Sequence, residues 1–344
     1  MTTLRPGDVL SGEASVIDLH PEPADMARLV REGLSRTPKR LPAWFLYDDT
    51  GSHLFEKICE QPEYSLTRTE TDLLERLGPE LAAALGPGVL VEFGAGNGRK
   101  VSPLLEAGRQ AAYGALDISA DHLSLACENL RRRHPGVPIL GICCDYSSLE
   151  ALPDHPLLRQ PRIGFYPGSS LGNFEPSEAG RLLRRFAHLL GGGSRLLIGI
   201  DQPKAVARLE AAYNDAAGWS AAFALNLLER LNRELGGDFD PDGFTYRAHW
   251  EQEHSRIVMA LVSRRAQSVR VAGEVIRFGA EEPLITEISV KYGPERFLAL
   301  ARGAGWRPLG RWSDPADDLS LHLLERADWE GSGQSAPPED PDEP

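Results

Sequence analysis

Short apolar runs alternate with helical patterns through the middle of the chain. Five of these runs have the length and composition of buried strands. They are VLVEF from Val89, AAYGALDIS from Ala111, PILGICCDY from Pro138, RIGFYPGS from Arg162 and SRLLIGID from Ser194. Strands that alternate with helices predict a parallel sheet with helices on both faces. In such a sheet, a ligand binds outside the carboxyl ends of the strands.

The segment before these strands carries apolar residues at helical spacing. After a polar lead-in, one helix is predicted over residues 24–34 and another over residues 53–59. Thr67-Arg68-Thr69-Glu70 has the spacing of a capping box, in which Thr67 begins a helix and Glu70 closes its first turn. We expect that third helix to bury four leucines, which are Leu73, Leu74, Leu77 and Leu81.

Residues 201–290 interrupt the alternation. One long helix is predicted over LEAAYNDAAGWSAAFALNLLERLNREL, and strands are predicted in TYRAHWEQEHSRIVMALVSRR, QSVRVAGEVIRF and LITEISVKY. The α/β pattern then resumes with a helix in PERFLALARGAG and two strands in WRPLGRWS and LSLHLLER. The interruption predicts a second domain over the mouth of the sheet.

Charge and composition exclude several classes of partner. The 50 acidic and 37 basic residues give a net charge of −13, which argues against a nucleic-acid or anionic-membrane partner. No apolar run approaches the roughly 20 residues that span a bilayer, and the N-terminus lacks the apolar core of a signal peptide. We therefore expect a cytoplasmic protein. Separately from charge and composition, we expect a monomer that acts on a small-molecule substrate.

Neither a disulfide framework nor a metal site is expected. The four cysteines show no C-x-x-C spacing. His249, Glu251, Glu253 and His254 cluster in one segment, but their spacing is not H-E-x-x-H. In an alternating strand, His254 would also lie on the face opposite His249.

A glycine turn follows the first strand of the series. Gly94 and Gly96 leave main-chain N–H groups open to a ligand. A dinucleotide fingerprint would need glycine where Arg99 stands. Asp117 ends the second strand, where a carboxylate can bind both hydroxyls of a ribose, and Asp145 ends the third, where it can meet an adenine amino group.

The absence of a phosphate-binding lysine motif narrows the choice of cofactor. Two acidic strand ends without that motif suit a ligand that has ribose and adenine but no phosphate. S-adenosylmethionine fits this description. Either aspartate could instead cap the helix that follows it.

Four segments together resemble one family. They are YDDTGSHLFEKICEQPEYSLTRTE, VEFGAGNGRK, FYPGSSLGNFEP and TEISVKY, and in them the chain is similar to the histidine-specific N-α-methyltransferases. The resemblance implies stepwise, S-adenosylmethionine-dependent trimethylation of the α-amine of L-histidine to hercynine, in ergothioneine biosynthesis. The alternatives are an N-methyltransferase of another aromatic amino acid or indole amine, such as tryptophan, and a non-catalytic S-adenosylmethionine-binding sensor or scaffold.

The resemblance also implies roles for particular residues. Positions that match cofactor contacts, together with two glycines placed by the turn and the fourth strand, are Gly94, Gly96, Lys100, Asp117, Asp145, Tyr146 and Gly168. Positions that match the amino-acid pocket are Tyr47, Tyr64, Asn173, Tyr213, Met259, Glu287 and Ser289. The chain departs from the family pattern at Ser65-Leu66, where the resemblance leads us to expect Tyr and Pro. This loop should border the pocket, so the resemblance does not fix the relative affinity for histidine and its methylated forms.

The chemistry of the catalytic candidates can be argued from the residues themselves. The carboxamide of Asn173 can accept a hydrogen bond from a substrate amine and orient its lone pair, although Asn173 could instead be a turn residue. Tyr213, on the predicted long helix, could provide a second polar contact or could simply be packed. We find no dedicated general base, and we expect catalysis to come from alignment and exclusion of water.

Glu287 and Ser289 alternate along a predicted strand. They therefore share a face with Lys291. A carboxylate and a hydroxyl suit the two nitrogens of an imidazole. The alternative is a solvated face of an edge strand.

The predicted fold class is α/β, with a Rossmann-like methyltransferase sheet and a second, substrate-binding α+β domain. The predicted division has N-terminal helices of the substrate-binding domain at 1–70 and the methyltransferase core at 71–200. The inserted part of the substrate-binding domain is at 201–290, the end of the core at 291–328, and a disordered acidic tail at 329–344.

Overall fold

A computed structural model describes residues 15–19 and 23–326. The predicted tail at 329–344 lies outside the described residues. The first part of the chain forms β1 (Ser15–Leu19), α1 (Pro23–Ser35), β2 (Lys39–Arg40), α2 (Asp49–Glu60), α3 (Leu66–Leu85), β3 (Val89–Phe93), α4 (Ser102–Glu106), β4 (Ala112–Asp117), α5 (Ala120–Arg133), β5 (Ile139–Cys144), β6 (Arg162–Tyr166), α6 (Pro176–Leu190) and β7 (Arg195–Asp201). The remainder forms α7 (Val206–Ala212), α8 (Trp219–Leu235), β8 (Phe244–Glu251), β9 (Arg256–Ser263), β10 (Gln267–Val271), β11 (Glu274–Phe278), β12 (Pro283–Val290), α9 (Pro294–Gly303), β13 (Trp306–Ser313) and β14 (Leu319–Arg326).

The larger sheet has eight strands in the order β1-β5-β4-β3-β6-β7-β14-β13. The five predicted strands are its centre and are parallel, which confirms the α/β prediction. β14 runs antiparallel to β7, and β13 antiparallel to β14. The polar lead-in contains one unpredicted strand, because residues 15–19 pair in parallel with β5 at the edge of the sheet.

The smaller sheet combines segments that are far apart in sequence. Its order is β2-β12-β9-β8, and β10 and β11 form a separate hairpin. β12 pairs with β9 along most of its length and with β2 at Leu284 and Ile285. β12 is internal in the sheet order, and the face that carries Ser289 and Lys291 is buried, which contradicts the solvated face of the alternative interpretation.

Two local predictions are wrong. The long helix predicted from Leu209 onward is broken into α7 and α8, and Tyr213 is the residue that follows α7. The break arises because both carboxylate oxygens of Asp215 accept N–H groups at the start of α8, from Trp219 at 2.8 Å and Ser220 at 2.7 Å. Gly218 supplies the left-handed backbone, with φ of +80°, that the turn requires.

The predicted capping box is also absent. α3 begins at Leu66, so Thr67 lies inside its first turn. The Glu70 side chain is completely buried, and its two oxygens accept the N–H of Gly168 at 2.9 and 2.7 Å. Lys100 Nζ lies 2.7 Å from the same carboxylate. Glu70 therefore ties α3 to the carboxyl end of β6 instead of closing its own helix.

Among the described residues, the helices lack the combination of length and apolar character needed to cross a membrane.

Gly199 provides the space for the Glu70 carboxylate. A Cβ at this position on β7 would lie 1.9 Å from Glu70 Oε1. We expect Gly199→Ala to lower the free energy of unfolding by about 1–3 kcal/mol or more, because the buried carboxylate cannot move without losing its partners. Chemical denaturation would measure the change. Gly303→Ala is the control, since its Cβ would meet nothing within 4 Å and should be neutral or slightly stabilising. Equal stabilities for the two variants would contradict this account.

Candidate active site

A cleft of about 1170 Å³ lies along the carboxyl ends of the central strands. Its walls come from the glycine turn after β3, the ends of β4, β5 and β6, and α2 of the N-terminal segment. All seven residues predicted to bind a cofactor line it, namely Gly94, Gly96, Lys100, Asp117, Asp145, Tyr146 and Gly168.

The glycine turn is held by the strand-end aspartate beside it. Gly94 and Gly96 have φ values of +77° and +53°, a backbone region that favours glycine. Asp117 Oδ2 accepts the N–H of Gly96 at 2.8 Å, and Oδ1 accepts that of Ser119 at 3.1 Å. Burial raises the pKa of Asp117, although these hydrogen bonds oppose the shift. The aspartate thus supports the turn as well as lining the cleft.

Asp145 occupies the corresponding position after β5. Its Oδ1 accepts from the N–H of Ser147 at 2.9 Å and from the Ser147 hydroxyl at 2.6 Å. The neighbouring Tyr146 hydroxyl lies 3.2 Å from that of Tyr166, which is buried behind it. The loop that carries Asp145 and Tyr146 is therefore fixed from both sides.

These features fit S-adenosylmethionine. A Cβ at Gly96 would meet nothing within 4 Å, so the turn leaves open space above its backbone. Two carboxylates at neighbouring strand ends are acceptors for hydroxyl and amino groups. The Lys100 ammonium is paired with the Glu70 carboxylate, so its charge is already neutralised and is not available for a phosphate.

Helix α2 forms part of the cleft wall. Asn97 in the glycine turn donates to Glu56 Oε1 at 3.0 Å, and Ser119 donates to Asp49 Oδ1 at 3.1 Å. Both carboxylates belong to α2. The N-terminal segment is therefore anchored directly to two of the loops that surround the cleft.

A smaller cavity, of about 60 Å³, adjoins the cleft. Tyr47, Tyr64, Gly168, Ser170 and Asn173 line both spaces. All seven residues predicted for the amino-acid pocket line the smaller cavity, and they are Tyr47, Tyr64, Asn173, Tyr213, Met259, Glu287 and Ser289. The structure thus brings the two predicted sets to adjoining spaces.

Asn173 and Glu287 meet inside this cavity. The Asn173 amide nitrogen donates to Glu287 Oε1 at 2.8 Å, which leaves the Asn173 carbonyl oxygen as an acceptor. A Cβ on the preceding Gly172 would lie 2.6 Å from the carbonyl oxygen of Val290, so only glycine lets this turn approach β12 so closely. Burial raises the pKa of Glu287 to about 8, and Lys291 opposes that shift.

Tyr213 and Ser289 belong to a second polar group. The Tyr213 hydroxyl donates to Ser289 Oγ at 2.9 Å. Lys291 Nζ donates to Tyr213 Oη at 2.7 Å and to Ser289 Oγ at 2.8 Å, and it lies 2.7 Å from Asp201 Oδ2. Tyr246, another residue of the cavity, donates to the carbonyl of Tyr213 at 2.9 Å.

Sequence reasoning missed Glu70, Asp201, Lys291 and Tyr246. Two of them carried a usable signal, because Lys291 shares the face of Glu287 and Ser289, and Asp201 ends a strand as Asp117 does. The sequence pattern predicts Glu70 as the last residue of a capping box, which is a role within its own helix. No local pattern indicates a role for Tyr246.

The segment that departs from the family pattern borders a third cavity. This space, of about 260 Å³, is lined by residues 62–66 and, on the other side, by Asp201, Lys204 and Tyr213. Tyr64 lines both it and the smaller cavity. Ser65 and Leu66 therefore lie beside the predicted pocket, as the sequence suggested. Across residues 15–19 and 23–326, no three His, Cys, Asp or Glu side chains are grouped as metal ligands.

The fold and the cleft define a protein of the S-adenosylmethionine-dependent methyltransferase class. Residues 26–326 match the family model described as histidine-specific methyltransferase, SAM-dependent, and the chain belongs to this family.

Three curated relatives are similar to this chain over most of its length. A histidine N-alpha-methyltransferase of Mycolicibacterium smegmatis is 40% identical over 307 residues, which cover 88% of this chain and 95% of the relative. A protein of the same name from Mycobacterium tuberculosis is 36% identical and covers 87% and 94%. Ergothioneine biosynthesis protein 1 of Neurospora crassa is 31% identical, and the match covers 84% of this chain and 33% of that longer protein.

The partly buried Glu287 predicts a pH dependence of stability. Its pKa is raised to about 8 from the ordinary glutamate value of 4.5, so between these pH values the folded protein holds a proton that the unfolded chain has released. We expect the wild type to lose stability relative to Glu287→Gln as the pH rises through this range, by a few kcal/mol at roughly 1.4 kcal/mol per pKa unit. Denaturation at several pH values would measure the difference. Glu253→Gln, at an exposed turn residue, is the control, and parallel curves for wild type and Glu287→Gln would contradict the assignment.

Proposed function

We propose that this protein transfers methyl groups stepwise from S-adenosylmethionine to the α-amine of L-histidine. The product is hercynine, and the reaction is a step of ergothioneine biosynthesis. One observation carries the proposal beyond family membership. Glu287 and Ser289 lie in a small polar and aromatic cavity, and that cavity shares Asn173 and Gly168 with the cofactor cleft. If Glu287 and Ser289 bind the imidazole of a histidine, the amine and carboxylate of that histidine would therefore lie beside the cleft.

The cleft residues are proposed to hold the cofactor. Asp117 would bind the ribose hydroxyls and Asp145 the adenine amino group, since both are carboxylates at strand ends. Gly94 and Gly96 would allow the ligand to approach the main chain, and Lys100, Tyr146 and Gly168 would complete the wall. When bound, S-adenosylmethionine supplies an electrophilic methyl group on a sulfonium, which is already a good leaving group.

The protein then has to orient a neutral amine. Asn173 is the proposed catalytic contact, because its amide nitrogen is used by Glu287 and its carbonyl oxygen remains an acceptor for the amine N–H. Tyr213 is proposed as a second polar contact to the amine, because its hydroxyl hydrogen is donated to Ser289 and its oxygen can still accept an amine N–H. Neither residue is a general base, so the amine would lose its proton to solvent between methyl transfers, and rate enhancement would come from alignment.

Glu287 and Ser289 are proposed to recognise the ring. A ring N–H donated to Glu287 favours the ionised carboxylate, so binding of histidine opposes the effect of burial on the Glu287 pKa. An apolar side chain would leave both groups unsatisfied, and rejection of this kind can reach ~10⁴-fold. Tyr47, Tyr64 and Met259 would form the remaining walls around the ring.

The substrate assignment has a direct test. Purified protein, S-adenosylmethionine and the twenty amino acids are incubated together, and the products are read by mass spectrometry. We expect histidine to gain up to three methyl groups, while phenylalanine and leucine stay unmodified. Methylation of tryptophan in place of histidine would favour an indole-specific enzyme. Calorimetric binding of the cofactor with no methyl transfer would favour a sensor or scaffold.

The role of Asn173 has a separate test. Asn173→Ala should lower kcat by about 10²-fold, since one positioned polar contact to the reacting amine is lost. The affinity for S-adenosylhomocysteine, measured by calorimetry, should change little. Asn129→Ala is the control, because Asn129 is exposed on α5. Unchanged turnover in Asn173→Ala would remove Asn173 from the mechanism.

A further inference from the structure

Lys291 is a fully buried cation beside the proposed substrate pocket. None of its side chain is exposed, and lysine is rarely buried in this way unless it is paired. It follows β12, two residues after Ser289, and it is not one of the residues that line the smaller cavity. Its position therefore allows it to act on the pocket only through other side chains.

The hydrogen bonds of Lys291 are fully accounted for. An ammonium group has three N–H donors and no acceptor. Its three partners are Asp201 Oδ2 at 2.7 Å, Tyr213 Oη at 2.7 Å and Ser289 Oγ at 2.8 Å. The group can therefore only donate to the two hydroxyls, and this restricts what those hydroxyls can offer to a ligand.

Ser289 receives two hydrogen bonds. One comes from Lys291 and the other from the Tyr213 hydroxyl at 2.9 Å. A serine hydroxyl has two acceptor lone pairs and one O–H donor. Both lone pairs are occupied, so the only group that Ser289 has left for the pocket is its hydroxyl hydrogen.

We infer that Lys291 is a specificity-determining positioning residue, which holds Ser289 as a hydrogen-bond donor to an unprotonated ring nitrogen of the substrate. This inference rests on the proposed function and deepens it. With Glu287 as the acceptor for a ring N–H, the pocket demands one donor and one acceptor on the same ring. The neutral imidazole satisfies both groups.

Other ring systems do not offer an acceptor to the Ser289 hydroxyl. An indole has one N–H and no acceptor nitrogen, so it would leave the Ser289 hydroxyl without a partner. An imidazolium has two N–H donors and would place one of them against the Ser289 donor. A buried polar group without a partner is the basis of strong discrimination between ligands of similar size.

Asp201 allows the cation to be buried. It ends β7, its carboxylate contacts Lys291 and Lys204, and Ser169 Oγ accepts its backbone N–H at 2.9 Å. Burial alone would raise the pKa of Asp201, but the two lysines outweigh burial and lower it. Asp201 is therefore held as the counter-ion of Lys291, and it is not one of the residues that line the smaller cavity.

The test compares selectivity rather than activity alone. The ratio of kcat/KM for histidine to that for tryptophan is measured by competition and mass spectrometry in wild type and in Lys291→Met. We expect the ratio to fall by about 10- to 100-fold, through a higher KM for histidine. The affinity for S-adenosylhomocysteine should remain within about twofold, because the cofactor cleft is not touched.

Two further variants separate positioning from folding. Asp201→Asn combined with Lys291→Met removes both members of the fully buried pair, so the Asp201 charge does not remain after its Lys291 partner is lost, and the double variant should show the same loss of selectivity. Lys204→Met is the matched control, since it removes the other lysine from Asp201 without touching Ser289 or Tyr213. It should keep the wild-type ratio.

A double-mutant cycle with Ser289→Ala tests the route of the effect. If Lys291 acts through Ser289, adding Lys291→Met to Ser289→Ala should change the ratio by less than about twofold. Additive losses would overturn the inference, as would an unchanged ratio in Lys291→Met or an equal loss of cofactor binding. A wild-type protein that leaves histidine unmodified would overturn the proposed function itself, and that outcome is seen before any variant is made.

Discussion

The buried pair of Asp201 and Lys291 joins the two sheets of the protein. Asp201 ends β7 of the larger sheet, and Lys291 follows β12 of the smaller one. Two ions are stable away from water only when each finds its counter-charge and its remaining hydrogen bonds, and here the ammonium has all three partners. The backbone N–H of Tyr292 also donates to the carbonyl of Asp201 at 3.2 Å, so the junction is bonded through main chain and side chain. The smaller cavity lies beside this junction.

A second buried carboxylate performs the same task for the N-terminal segment. Glu70 on α3 binds the backbone of Gly168 and the ammonium of Lys100, both of which line the cofactor cleft. A shift of α3 would therefore disturb the end of β6 and the glycine turn together. Helix α2 adds direct bonds from Asp49 and Glu56 to the same edge of the sheet. The cleft is consequently built from two parts of the chain that hold each other in place.

The loop that carries Asn173 lines both spaces. Gly172 lets it pack against β12, Asn173 bonds Glu287 across that contact, and Gly168 at the start of the loop borders both cavities. The proposed methyl donor and the proposed acceptor would thus be positioned by opposite ends of one short loop. This arrangement suits a reaction in which alignment matters more than acid–base chemistry.

Local patterns determined a large part of this protein. The alternation of apolar runs and helices, the glycine turn and the aspartates at strand ends are all set by neighbouring residues, and the period of two along β12 correctly placed Glu287, Ser289 and Lys291 on one face. Tertiary structure decided where Glu70 binds, why α7 and α8 separate at Asp215, and that residues 15–19 join the sheet. It also decided that Lys291 is buried against Asp201 and that Ser289 is left as a donor. Such outcomes depend on burial and on partners that are distant along the chain, and neither can be read from the spacing of adjacent residues.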